Sequence, residues 1–204
     1  MAFPKPFERK ILPAQTMLTR RKILAAGAVG IASPTPVPRI IISPPPFPTL
    51  TCGDLMSPCV VGRSGVRRDK HEGDGATPAG HYPLRRLLFR QDRISSIASG
   101  LPVMPIHASD GWSDDPADPH YNRQVILPHP WHHEDLWRSD TLYDIVIVIG
   151  YNDRPAIPGK GSAIFLHVSI PGMSGTDGCV ALPRAAIVRL AVLCSTETLI
   201  DIRA

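Results

Sequence analysis

The strongest constraint on the fold comes from two short apolar runs in the second half of the chain. The first, Tyr143 to Tyr151, reads YDIVIVIGY and is followed by turn residues, which is typical of a strand buried on both faces in the middle of a sheet. The second run, Ala163 to Leu166, ends at His167. Because only residues 152–162 connect the runs, we expect the two strands to lie side by side.

The rest of the sequence predicts a domain of many short strands. Strand-like segments recur at residues 60–68, 81–90, 101–106 and 197–202. A helix is predicted from Pro183 to about Leu193, with inward side chains at Ile187, Leu190 and Ala191, and residues 135–141 predict a helical turn. With 23 prolines, 16 glycines and a hydrophobic content of 43%, the chain has both the turns and the core of a β protein. We therefore predict a mainly β sheet or sandwich with few helices.

The first 32 residues have the pattern of an export signal. Residues 19–24 read TRRKIL, a twin-arginine pattern, and small apolar residues follow as far as Ala32. Met17 is an alternative start, and an uncleaved amphipathic anchor is the alternative role for this segment. We expect an exported protein in the periplasm that touches the membrane only through this signal, because no run is long enough for an ordinary span.

The positive charge of the chain is concentrated in the same segment. The whole chain carries a net charge of +4, whereas residues 1–32 hold six basic side chains and one acidic side chain. The remainder therefore carries a net charge of about −1 and is close to neutral. We expect no nucleic-acid partner, since the basic balance belongs to the signal.

A proline-rich linker is predicted over residues 33–48, which contain seven prolines. The triplet Ile40–Ile42 interrupts it and could be an edge strand, but we favour a linker that leads into a domain at residues 49–204. Cys52 and Cys59 then form a close pair, which could be a disulfide or two free thiols in an exported protein. Metal ligation by this pair is disfavoured, because no second pair of ligands is near.

One His and one Cys stand at the two ends of a loop rich in glycine and proline. Eleven residues separate His167 from Cys179. A thiolate is the attacking species, and a neighbouring imidazole can take its proton and stabilise it as an ion pair. Gly178 permits close backbone approach, and the N–H groups of Gly178 and Cys179 could hold an oxyanion. Cys194 lies in the apolar segment AVLCST and is interpreted as an inert core residue.

Two sequence blocks carry a resemblance to a known family. The block Thr176 to Ala181, TDGCVA, and the block Gly73 to Gly80, GDGATPAG, resemble the catalytic motif and the Thr-Pro-x-Gly hairpin of the L,D-transpeptidases, the YkuD-like cell-wall enzymes. The resemblance covers roughly residues 60–202. Asp177 stands where the family usually has His, and Ala181 stands where it has Asn or Arg. The loop between His167 and Cys179 is also shorter than usual.

The resemblance implies a mixed, curved sheet that carries the His and the Cys at one end of a cleft. It also implies an exported cysteine acyltransferase that cross-links peptidoglycan stem peptides through a thioester, without a cofactor. Cys179 would attack a stem amide, with His167 as base and then acid. The product would be a 3,3 link between diaminopimelates or a 1,3 link from L-Ala to diaminopimelate. The alternatives are an amidase or carboxypeptidase that uses water as acceptor, and a non-enzymatic wall-binding module.

Substrate contacts are predicted at six positions near the motif and in two further segments. They are Thr176, Asp177, Arg85, Arg123, Trp112 and Tyr121. Guanidinium groups bind carboxylates bidentately, and a long polar loop that contains Trp and Tyr is typical of a substrate wall. Asp177 is expected to disfavour the thiolate and to repel a substrate carboxylate. We expect no metal, since Asp114, Asp115, Asp118 and the patch of His129, His132 and His133 match no known metal spacing, and we expect a monomer.

Overall fold

The computed structural model describes residues 38–204. The export signal predicted at residues 1–32 and the start of the predicted linker lie outside the described residues. Fourteen strands and one helix follow one another in the described part. They are β1 (Ile40–Ile42), β2 (Thr49–Cys52), β3 (Leu55–Pro58), β4 (Val66–Arg67), β5 (Thr77–Pro78), β6 (Gly80–Phe89), β7 (Val103–Pro105), β8 (Asp110–Ser113), β9 (Gln124–Ile126), β10 (His133–Asp135), β11 (Ile145–Ile149), β12 (Phe165–Val168), β13 (Val180–Leu182), α1 (Arg184–Leu193) and β14 (Leu199–Ile202).

Nine of the strands form one curved, mixed sheet. Its order is β13-β12-β11-β6-β14-β1-β2-β3, and β7 pairs with β6 beside this path. Val60, which follows β3, forms a bridge with Ala181 of β13 through two hydrogen bonds of 2.9 and 2.8 Å. The two ends of the strand order therefore meet, and the sheet is nearly closed. The predictions of a mainly β class and of a mixed, curved sheet are confirmed.

The strand β11 lies in the interior of this sheet. All five of its residues are buried, and it pairs with β12 on one side and β6 on the other, both antiparallel. Val146 is the pairing partner of His167. The predictions that this run is central and lies beside the strand of His167 are therefore confirmed.

The two faces of the sheet near β12 have different neighbours, because successive side chains point to opposite sides of a strand. On one face Leu166 and Val168 share a core with the buried side of α1, which includes Ile187 and Leu190. Each of these large aliphatic side chains contributes about 1.5–3 kcal/mol through its burial. On the other face Phe165 packs with aromatic side chains, and His167, two residues further on, faces the same side.

A second, three-stranded sheet covers the face that carries His167. Its order is β10-β8-β9. Trp112 of β8 packs edge-to-face on Phe165 with a centroid distance of 5.0 Å. The sheet also carries Glu134 on β10, opposite Trp112 in the register. It thereby adds side chains to the neighbourhood of His167 from a distant part of the sequence.

The predicted linker is corrected by the position of β1. Ile40 and Ile42 are fully buried, and β1 lies between β14, with which it is parallel, and β2, with which it is antiparallel. Residues 40–42 are therefore an interior strand of the domain and not part of a linker. The burial of two isoleucines and pairing on both sides stabilise this strand against an extended, solvated state.

Two smaller predictions also have an outcome. Residues 135–141 do not form a helical turn, because side chains close this segment instead: Asp140 Oδ1 accepts the Leu142 N–H at 3.1 Å, and the Arg138 carbonyl accepts Arg90 Nη1. Cys52 and Cys59 are buried free thiols, so the structure has the free-thiol alternative. Within residues 38–204 no helix is long and apolar enough to cross a bilayer.

Candidate active site

Cys179 and His167 are brought together by two neighbouring parallel strands. In the register of β12 and β13, Leu166 pairs with Val180 and His167 with Ala181. Cys179 directly precedes β13, beside Phe165, whose N–H donates to the Cys179 sulfur at 3.3 Å. Both predicted catalytic side chains line one cavity of about 280 Å³, which we call the nucleophile cavity. Its wall also includes Arg63, Glu134, Arg138, Tyr143, Thr176 and Asp177.

The thiol of Cys179 is held by the backbone at the entry to β12. Its S–H donates to the Ala163 carbonyl at 3.1 Å. Ala163 has φ +51°, a left-handed conformation that costs a non-glycine residue about 1–2 kcal/mol. The Ala163 N–H donates to Asn122 Oδ1 at 3.0 Å, and this oxygen also accepts the Trp112 indole N–H at 3.0 Å. Asn122 therefore over-determines a strained position next to the nucleophile.

His167 is buried and held in one orientation. The residue is only 3% exposed, and its Nδ1 is 2.9 Å from the Val168 carbonyl oxygen. A carbonyl can only accept, so Nδ1 carries the proton and Nε2 of the neutral ring is free to act as a base. The Tyr143 ring contacts the imidazole edge-to-face at a centroid distance of 5.4 Å. The group that orients His167 is thus a backbone carbonyl.

Burial sets the protonation states of both reactive groups. Desolvation lowers the pKa of His167 to about 4, although the Val168 carbonyl opposes this effect. Desolvation also raises the pKa of the Cys179 thiol well above its usual range, and Glu134 adds to the rise, while the Phe165 N–H and Lys70 oppose it. The free protein therefore holds a neutral thiol and a neutral imidazole, and the charged pair forms only when a reaction stabilises it.

The carboxyl group that raises the pKa of the Cys179 thiol is that of Glu134 and not that of Asp177. The Asp177 side chain is 84% exposed and forms an ion pair with Arg63, so the prediction that it disfavours the thiolate is wrong. Glu134 accepts a hydrogen bond from the Tyr143 hydroxyl, and burial raises the pKa of its carboxyl group. Sequence reasoning missed Glu134 because β10 is far from the Cys179 motif along the chain.

A tight turn presents the sulfur to the cavity. The Cys179 carbonyl accepts the hydroxyls of Thr176 at 2.6 Å and Thr77 at 3.3 Å. Gly178 has φ +134°, and a Cβ at this position would lie 2.9 Å from the Ala76 carbonyl oxygen. The turn therefore requires glycine for both conformation and space.

The two predicted oxyanion donors differ in this turn. The Gly178 N–H donates to Thr176 Oγ1 at 3.2 Å and is not free, which corrects its predicted role. The Cys179 N–H has no hydrogen-bond partner among residues 38–204. It lies next to the sulfur and is the amide available to a developing oxyanion.

The Thr-Pro-x-Gly block supports the turn from behind. Asp74 accepts Lys70 Nζ at 2.6 Å and the Ala76 N–H at 2.8 Å, which fixes the segment that packs on Gly178. Thr77 accepts the Gly62 N–H at 2.8 Å and donates to the Cys179 carbonyl. The two blocks that stand about 100 residues apart in sequence thus form one structural unit around the nucleophile.

The family comparison agrees with this arrangement. The family model of the L,D-transpeptidase catalytic domain, YkuD, matches residues 52–202. The chain belongs to this family. The comparisons with curated proteins and with solved structures found no match. Membership in the L,D-transpeptidase family indicates a transpeptidase that acts on peptidoglycan.

The L,D-transpeptidase domain has a second cavity, which holds three of the predicted substrate residues. This cavity measures about 510 Å³ and is lined by four arginines, so we call it the arginine cavity; the arginines are Arg85, Arg86, Arg123 and Arg154. Trp112 also lines it. Arg85, Arg123 and Trp112 are therefore not in the wall that surrounds Cys179 and His167.

The remaining predicted contacts have structural tasks. Thr176 lines the nucleophile cavity, but its hydroxyl is used inside the turn. Tyr121 is 3% exposed, donates its hydroxyl hydrogen to Glu72 and accepts the Gly161 N–H at 2.9 Å. It lines neither of the two cavities. In the part of the chain that the structure describes, no group of three or more His, Cys, Asp or Glu side chains could hold a metal ion.

Proposed function

We propose that this protein is an exported, cysteine-dependent L,D-transpeptidase that cross-links peptidoglycan stem peptides through a thioester. The observation that carries the proposal is that Cys179 and His167 line one cavity, with the His167 ring neutral and its Nδ1 held by the Val168 carbonyl. The Cys179 N–H, which has no hydrogen-bond partner among residues 38–204, would serve as the oxyanion donor. Nucleophile, base and oxyanion donor are the groups that acyl transfer by a thiol requires.

Acylation begins when a stem-peptide amide carbonyl enters the nucleophile cavity. The Cys179 thiol leaves its hydrogen bond to Ala163, His167 Nε2 takes the proton, and the sulfur attacks the carbonyl carbon. The oxygen becomes an oxyanion that accepts the Cys179 N–H. His167 then returns the proton to the leaving amine, the carbon–nitrogen bond breaks, and a thioester remains on Cys179.

The second half-reaction transfers the acyl group to an amine of another stem. His167 takes a proton from this amine, the amine attacks the thioester, and the Cys179 sulfur leaves and is reprotonated. Water in place of the amine would give the carboxypeptidase alternative. Because the thiol and the imidazole of the free protein are both neutral, the Cys179 proton moves to His167 as the sulfur attacks.

The link type follows from which donor carbonyl reaches Cys179. Ala181 is buried and offers no side chain beyond Cβ where the family has Asn or Arg, and Asp177 pairs with Arg63, which also lines the cavity. We propose that these departures change the donor, which gives a 1,3 link from L-Ala to diaminopimelate, with the 3,3 link as the competing product. We also propose export through residues 1–32 to the periplasm and action as a monomer.

The test is turnover of defined muropeptides, read by tandem mass spectrometry of the products. The parent protein should form cross-linked dimers whose fragments assign the linked residues. Cys179→Ala should abolish the dimers, and the matched control Cys194→Ala, at a thiol that is also buried and free, should leave them unchanged. Dimers formed by Cys179→Ala would contradict the mechanism, and free acids without dimers would favour the hydrolase.

A further inference from the structure

The arginine cavity carries a surplus of positive charge. Four arginines line it, against one carboxylate, that of Asp153. Asp153 is bound by Arg85 through two hydrogen bonds of 2.7 and 3.0 Å, so this pair is internally neutralised. Arg154 Nε also lies 4.0 Å from Asp153 Oδ2, but the lining as a whole holds four positive groups against one negative group. A cavity with this surplus favours an anionic group.

Arg86 has a buried donor without a partner in residues 38–204. Its Nη2 donates to Gln124 Oε1 at 3.0 Å, but its Nε is buried and has no hydrogen-bond partner among the described residues. A buried polar group without a partner destabilises the folded protein unless a ligand satisfies it. The guanidinium also lies 5.5 Å from the Trp112 ring centroid, which holds it at the wall. A carboxylate is the ligand that matches the fork of such a group.

The other walls of the cavity combine the polar side chains of Asn122 and Gln124 with several apolar ones. Ile126 is 66% exposed and Met104 is 43% exposed, and both lie at this cavity together with Phe165 and Trp112. A ligand that fits must therefore combine a carboxylate with an aliphatic portion. A peptide that ends in a carboxylate on an aliphatic side chain has both features, whereas an inorganic anion has only the first.

The arginine cavity is separate from the nucleophile cavity but is connected to it through hydrogen bonds. The two share no lining residue, yet Ala163 lines one and Ile164 and Phe165 line the other. The Phe165 N–H and the Ala163 carbonyl both bind the Cys179 sulfur, and Asn122, which lines the arginine cavity, binds the Ala163 N–H. A ligand here lies next to the backbone that holds the nucleophile.

We propose that the arginine cavity is a binding site for the carboxylate of a peptide with an aliphatic side chain. On the proposed function, from which this assignment takes its ligand, that peptide is a neighbouring peptidoglycan stem. Arg86 and Arg123 bind the carboxylate, and the apolar walls take the aliphatic chain. The site holds a second stem near the enzyme and does not present it to Cys179, since the two cavities have separate walls.

The test measures binding in a protein that cannot turn over. Stem tetrapeptide with free carboxylates, the same peptide with all its carboxylates amidated, and inorganic phosphate are titrated into Cys179→Ala protein by calorimetry. Arg86→Gln and Arg123→Gln are each made in the Cys179→Ala background. Each should lower the affinity for the free-carboxylate peptide by about tenfold or more, because each removes a charge-assisted pair. Neither should change the binding of the amidated peptide. Arg189→Gln removes an exposed arginine of α1 that is paired with Asp54; it is the matched control and should leave the affinity for the peptide unchanged.

Further readouts separate the possible failures. Arg86→Lys keeps the charge but loses the planar fork, so it should bind between the parent and Arg86→Gln, and thermal melts verify that each variant folds. The site is overturned if the parent, Arg86→Gln and Arg123→Gln bind the free-carboxylate peptide with equal affinity. It is also overturned if the cavity binds phosphate and not the peptide. Acylation of Cys179 in the wild-type background is measured separately. A protein that is not acylated but whose peptide binding depends on Arg86 would refute the proposed function and keep the site.

Discussion

The nucleophile cavity and the arginine cavity lie on either side of the entry to β12 and are built in opposite ways. Around Cys179, burial holds the thiol and the His167 imidazole neutral, and protein groups bind both the sulfur and the carbonyl of Cys179. Around Arg86, charged groups are in surplus and a buried donor has no partner in the described residues. The first cavity is arranged for chemistry that generates charge, and the second for a ligand that brings charge.

After loss of the Cys179 thiol itself, the largest effect is expected for loss of the base. His167→Ala should reduce acyl transfer by about 10²- to 10⁴-fold, because the Cys179 thiol, whose pKa is raised by burial, then has no group to take its proton. The rate of thioester formation, followed by stopped reactions and intact mass, measures this loss. His81→Ala, at an exposed imidazole on β6, is the control and should retain the parent rate. A His167→Ala protein with the parent rate would remove the base from the mechanism.

The next effect tests whether the turn at Gly178 fixes the position of the Cys179 sulfur. Gly178→Ala places a Cβ 2.9 Å from the Ala76 carbonyl at φ +134°, so the turn must shift and the sulfur with it. A displacement of about 1 Å can cost roughly 10²-fold in rate. Gly53→Ala shares a positive φ but meets nothing within 4 Å, so it should cost stability without loss of rate. Equal rates for both variants would show that the turn tolerates a side chain.

The third prediction concerns pH and follows from the burial of His167. The unfolded chain protonates this residue near its ordinary pKa of 6.5, whereas the folded protein does so only near 4. The unfolded state therefore binds more protons between these values, so the contribution of neutral His167 is full above pH 6.5 and is lost as pH falls towards 4. The loss is about 3 kcal/mol in the free energy of unfolding.

Denaturant titrations of the parent and of His167→Gln across pH 4 to 7 measure this contribution. The difference between the two curves isolates His167 from other titrating groups, and it should shrink as the pH falls. A difference that is independent of pH would show that His167 is accessible to protons in the folded protein.

A smaller effect separates the two carboxylates near the cavity. Glu134→Gln should lower the pKa of Cys179, since Glu134 raises it, and thiol alkylation at fixed pH should become faster. Asp177→Asn should leave the alkylation rate unchanged, because its carboxylate is exposed and paired with Arg63. The reverse order of effects would restore the role that the sequence suggested for Asp177.

The proximity of Cys179 and His167 and the central strands could be predicted because their signals are local. The YDIVIVIGY run has its periodicity and its turn residues within a few positions, and Cys179 has a glycine before it and a base upstream. The resemblance to the family added the expectation that the blocks at residues 73–80 and 176–181 belong to one domain. Such features depend on neighbours in sequence, which a single chain displays.

The missed features depend on contacts between distant segments. In the sequence, Ile40–Ile42 is an apolar triplet inside a proline-rich linker. Only the pairing with β2 and β14 on both sides makes it a strand. Glu134 approaches Cys179 only through the three-stranded sheet. The left-handed conformation of Ala163 requires Asn122, 41 residues away, to hold it. No local pattern encodes these relationships. The sequence therefore points to Asp177, the acidic residue nearest to Cys179 along the chain, and not to Glu134.

The most direct test of the central claim is the site of acylation. A carbapenem offers a strained amide: attack by the Cys179 sulfur forms a carbon–sulfur bond, the lactam carbon–nitrogen bond breaks, and the ring nitrogen takes the proton. Intact-mass measurement should show one adduct on the parent and on Cys194→Ala, and none on Cys179→Ala. Peptide mapping should place it on Cys179. An adduct that persists in Cys179→Ala, or that maps to another residue, would contradict the assignment of Cys179 as the nucleophile.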